Sequence, residues 1–151
     1  MDRRVTVAGV TVVIHLLTGG LHGIPHAAIP VELAAWQWAF VVGIANLAPI
    51  AGFGLAWRGR VQAGGAVLAV SMGAALVFGV YHHYLVPNPD NIAAVPAGQW
   101  ELSFVVTAAS VALTDTIGVL AGVWLWLGRS GDRRIAVTRW DLTDGKKKNE
   151  Q

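Results

Sequence analysis

The chain has 151 residues, of which 54% are hydrophobic and only 13% charged, too few charges to solvate an ordinary globular surface of that length. It contains no cysteine, which excludes disulfides, thiolate ligands and thiol redox chemistry. The net charge of +2 comes from basic residues clustered beside apolar stretches. That pattern reports membrane orientation and excludes a nucleic-acid footprint.

Four apolar stretches follow one another at 5–28, 31–57, 62–86 and 101–128. Each is long enough, at about 1.5 Å per residue, to cross a hydrocarbon core of roughly 30 Å. The fold class expected is all-α, an integral membrane four-helix bundle over residues 1–128 with a basic tail at 129–151. Arg3 and Arg4 precede the first stretch, Arg58 and Arg60 join the second to the third, and Arg129, Arg133, Arg134, Arg139, Lys146, Lys147 and Lys148 follow the fourth. Lys and Arg are retained on the cytoplasmic side of short loops, so both termini are expected in the cytoplasm and the protein in the cell membrane. Trp36, Trp38, Tyr81, Tyr84 and Trp100 then mark the outer interface, and Trp57, Trp124 and Trp126 the inner one.

The first stretch opens as a signal peptide would, but "GGLHGIPHAAIP" makes a poor cleavage region, so an uncleaved helix is expected. At 100° per residue Thr11, His15, Thr18, His22 and His26 fall within a stripe roughly 80° wide. Such a stripe belongs in a bundle interior or a hydrated cavity, not against lipid. Pro25 could bend or end this helix, with "TGG" at 18–20 as an alternative stop, which would make 19–30 a re-entrant segment. In the second stretch Pro49 predicts a kink that leaves the Ala45 carbonyl without its usual donor.

Small residues crowd the third stretch, "AGGAVLAVSMGAALVFG", and permit close helix approach. Its far end carries "YHHYL". Counted from the start of their spans, His22, His26, His82 and His83 stand at heights agreeing within about one turn. The segment "VPNPDNIAAVPAGQW" is the one extended connection and is expected to fold over the outer mouth of the bundle.

The fourth stretch presents Ser103, Thr107, Ser110 and Thr114 on one face, and Glu101, Ala108 and Asp115 on another, a candidate subunit contact. Asp115 lies near mid-membrane, where His15 is the other ionisable group at its level. The two form a candidate proton relay, or a structural bond between helices.

The predicted outer half holds Glu32, Asp90 and Glu101 and no Lys or Arg, so its field favours a cation. His22 and His26 have the i, i+4 spacing that lets two imidazoles share one ion, with His82, His83 and Glu101 available to complete the set. Nitrogen and oxygen donors suit zinc, iron or copper(II), and the lack of cysteine argues against copper(I). A b-type haem is the other option, with His22 or His26 facing His82 across the macrocycle. "HGIPH" and "YHHYL" resemble the HxxxH and HH elements of membrane di-iron desaturases and hydroxylases. Those enzymes use a larger histidine set on the cytoplasmic side, so their site is not carried over. No phosphate loop, nucleophile elbow or dinucleotide fingerprint is present. Three functions are expected to compete: a metal or haem protein of electron transfer or redox chemistry, an accessory subunit of a larger membrane complex or homo-oligomer, and a small proton or metal-ion transporter.

Overall fold

The computed structural model describes residues 2–29 and 31–128, and the basic tail lies outside them. All regular structure among these residues is helical. Four helices are long and apolar enough to cross a membrane: α1 (Arg3–Ala28), α2 (Ala35–Trp57), α3 (Val61–Leu85) and α4 (Glu101–Leu127).

Asp2 starts α1, its carboxylate accepting from the Arg4 amide at 2.9 Å, which satisfies one of the free donors of the first turn. The helix then runs unbroken through Gly19, Gly20, Gly23 and Pro25 to Ala28. A re-entrant segment is therefore not formed. In apolar surroundings the backbone must satisfy itself, so helix persists across glycines that would break it in water. Pro25 falls in the last turn, where its carbonyl still accepts the Ile29 amide at 2.8 Å.

Helix α2 is not uniform. Val41–Leu47 winds as a π-helix before α-geometry resumes at Ala48. The cause lies at Pro49, which offers no N–H to the turn behind it. The Ala48 amide bonds back to Gly43, five residues away, and the Asn46 side chain donates to the Val41 carbonyl at 2.6 Å. A second π turn, Tyr81–Leu85, ends α3. Between α2 and α3 the chain reverses at Gly59, whose φ of 85° is the left-handed conformation that glycine supplies at a helix end.

Helices α3 and α4 pack most closely, α1 lies along α4, and the second half of α2 lies on α3. A Cβ on Gly65 would stand 2.5 Å from the Trp126 amide nitrogen, so this approach requires glycine. The core toward the basic end gathers Val5, Ala8, Val12, Ala56, Leu68, Met72 and Leu125. At the other end Ile29, Val95 and Phe104 bury one another under the connecting loop. The outward surface carries Leu17, Val70, Leu113 and Leu120 largely exposed, as suits a lipid-facing surface. The Ala108 and Asp115 face of α4, a candidate subunit contact by sequence, is instead buried inside the bundle, while Glu101 at its head is exposed.

Candidate metal centre

The polar stripe of α1 meets the polar stripe of α4 rung by rung. His15 Nδ1 stands 2.9 Å from Asp115 Oδ1, the Thr18 and Thr114 hydroxyls 3.1 Å apart, and His22 Nδ1 2.9 Å from Thr107 Oγ1. Antiparallel helices with helical-period polar faces produce this ladder; the Thr18–Thr114 and His22–Thr107 rungs are hydrogen-bonded, whereas His15 Nδ1 and Asp115 Oδ1 are close without a hydrogen bond.

The top rung opens into a histidine cluster. His22, His26 and His83 bring one ligand nitrogen each within 4.8 Å of the others. His22 Nε2 lies 3.1 Å from His26 Nε2 and 3.2 Å from His83 Nε2. Three rings on two helices thus gather around His22 Nε2, each within 5.5 Å, centroid to centroid, of the Phe104 ring.

Proton placement follows from the partners. Thr107 donates to the Ser103 carbonyl at 2.6 Å, so its oxygen accepts from His22 Nδ1–H. His83 Nδ1 faces the Asp90 carbonyl at 2.9 Å, and a carbonyl can only accept. In the neutral rings both protons therefore sit on Nδ1, which leaves two bare Nε2 lone pairs facing each other at 3.2 Å. A bare pair at that separation repels unless a cation stands between its members.

The loop supplies the charge. Asn88 donates to the carbonyls of His82 and Val86, Asn91 donates to Val86, and the Asp90 amide donates to Asn88 Oδ1. Folded down in this way, Asp90 is 5% exposed, and its Oδ1 lies 3.3 Å from both His26 Nε2 and His83 Nδ1. That oxygen is buried without a hydrogen-bond donor, as is His26 Nδ1.

Of the residues singled out by sequence, His22, His26 and His83 come together, and His82 and Glu101 do not. His82 turns outward against Phe78, its ring centroid 4.5 Å away, beside Trp36 and Tyr81. Neighbours on a helix point about 100° apart, so only one of the pair can face the cluster. With His82 outside, the facing pairs proposed for a haem, His22 or His26 opposite His82, are not assembled. Glu101 is solvent-exposed at the head of α4, and Asp90 takes the place beside the imidazoles.

His15 and Asp115 lie side by side, 3% and 1% exposed. His15 Nε2 donates to the Ala45 carbonyl at 2.8 Å, the carbonyl that Pro49 leaves without its usual donor. With Nε2–H committed, Nδ1 is left 2.9 Å from Asp115 Oδ1, and both of these atoms are buried without a hydrogen bond. A cavity of about 410 Å³ connects this pair to the histidine cluster. No family model, curated protein or solved structure matches the chain.

Proposed function

We propose that the protein is a membrane metalloprotein in which His22, His26 and His83 hold one transition-metal ion near the outer face of the bilayer. The observation that carries this reading is the pair of bare Nε2 atoms 3.2 Å apart, with a third Nε2 at 3.1 Å. Ligands about 2.0–2.1 Å from a tetrahedral ion stand roughly 3.3 Å from one another, so the spacing is that of coordination edges. Both Nδ1–H groups are already engaged, by Thr107 and by the Asp90 carbonyl, which is how ligating imidazoles are oriented from behind.

Three cis imidazoles favour a bare ion over a haem, whose two axial ligands lie on opposite sides of the iron. Zinc, iron or copper(II) suits an all-nitrogen set flanked by a carboxylate. Three protein ligands leave a fourth position open to the cavity, the arrangement of a reactive rather than a structural site. With iron or copper bound, redox chemistry at that position is the function proposed for it. Both termini and the Arg58–Arg60 turn lie in the cytoplasm, from the distribution of all eleven basic residues.

Elemental analysis of purified protein after metal loading tests the reading. The expected result is one ion per chain, lost in His22→Ala, His26→Ala and His83→Ala and retained in His82→Ala and Glu101→Gln. Substoichiometric metal in the wild type, or equal loss in His82→Ala, overturns it.

A further inference from the structure

The cavity below the histidines has a second polar end, and its walls separate the two. Its floor is the His15 and Asp115 pair with Asn46, its roof the histidine cluster, and its sides are mainly apolar. The floor and roof are seven residues apart on α1, about 10 Å at 1.5 Å per residue. A volume of about 410 Å³ falls within the usual range for a small-molecule site, roughly 300–1,000 Å³.

Three features define what enters. Gly19, Gly20 and Gly23 line one side, and a Cβ built on any of them meets nothing within 4 Å, so their missing side chains are the space itself. The first half of α2 stands off from α1, which touches α2 chiefly along Ala48–Trp57. A gap there lies between two spans long and apolar enough to cross a membrane, which points the entrance toward lipid. At the floor, His15 Nδ1 and Asp115 Oδ1 are buried without a hydrogen bond, so this pair can donate to a ligand oxygen or accept from one. Asn46, donating to Val41 through one N–H, keeps its carbonyl oxygen and second N–H for the same purpose.

We infer that this cavity binds a lipid-soluble para-quinone or quinol, one ring oxygen directed at His15 and Asp115 and the other at the open metal position. The two para oxygens with a hydrogen bond of about 2.8 Å at the floor and a metal bond of about 2.1 Å at the roof span the cavity. An acyl chain would leave the floor groups facing hydrocarbon. The roof contact rests on the metal reading above; the floor contact stands without it.

Titration with decyl-1,4-benzoquinone in lipid nanodiscs, followed by tryptophan quenching, tests the inference, since Trp38 lines the cavity. Expected is a saturable one-to-one component, absent in Gly19→Leu and Gly23→Leu, weakened about tenfold in Asp115→Leu and not displaced by decylbenzene. Metal content of each variant is measured separately. Saturable binding that survives in metal-free protein supports the cavity site even where the metal reading fails. Quenching that rises without saturation, persists in both glycine variants, or is displaced equally by decylbenzene overturns it.

Discussion

At the scale of single residues, the centre depends as much on what stands behind each imidazole as on the imidazoles. Thr107 fixes the tautomer of His22 by accepting its Nδ1–H at 2.9 Å. Thr107→Val keeps the shape and removes that acceptor, so metal affinity is expected to fall about 10- to 100-fold, measured by competition with a chromophoric chelator. Acid acts in the same direction: the ion needs unprotonated Nε2 atoms, and protons compete for them. Metal binding is therefore expected to weaken as pH falls, and pH-dependent titration calorimetry checks the sign. Binding unchanged between pH 7 and pH 5 would contradict imidazole ligation. The histidines were legible in the sequence because height along a helix is a simple count. Which of His82 and His83 faces inward was not, since adjacent residues differ by 100° and the π turn at Tyr81–Leu85 resets their direction. Asp90 was visible only as part of a negative outer field. Its position depends on a loop folded by Asn88 and Asn91, and loop geometry leaves no periodic signal.

Among the elements, α2 and α3 were legible as apolar spans but not as helices that change winding. Hydropathy counts apolar residues and is blind to whether an amide reaches back four residues or five. Pro49 was the exception, because a missing donor can be read from residue type alone, and the Ala45 carbonyl is bonded by His15 Nε2. That tie joins α1 to the π-helical part of α2, where the two helices otherwise stand apart. Pro49→Ala restores an N–H that competes for Ala45, so His15 becomes less important to the fold. A double-mutant cycle of Pro49→Ala with His15→Leu, read by denaturant unfolding in mixed micelles, is expected to give a coupling of about 0.5–2 kcal/mol. Strict additivity would show that the His15 to Ala45 bond contributes nothing. Asp115→Asn is a useful companion, because its amide can donate to His15 Nδ1 and preserve packing while removing the ionisable carboxyl group.

Taken whole, the molecule is asymmetric along its long axis. One end is close-packed around Leu68, Met72 and Leu125, all fully buried; the other encloses the cavity and is roofed by the loop at 86–100. The cavity lining ends at the His15 and Asp115 level and includes none of that core, an arrangement that suits a one-sided site better than passage from face to face. Such a site has meaning only if its open end faces a defined compartment, and the basic residues predict which. The natural absence of cysteine makes single-cysteine labelling direct. Gln62→Cys sits exposed in the first turn of α3, and Ala94→Cys sits exposed in the roofing loop, at opposite ends of the bundle. In intact cells a membrane-impermeant maleimide is expected to modify Ala94→Cys at once and Gln62→Cys only after permeabilisation. The reverse pattern would place the histidine cluster on the cytoplasmic face and open the metal site to the intracellular ion pool instead. Labelling of both positions in intact cells would mean that the chain does not hold a single orientation, and the charge distribution would then lose its standing as the determinant of topology.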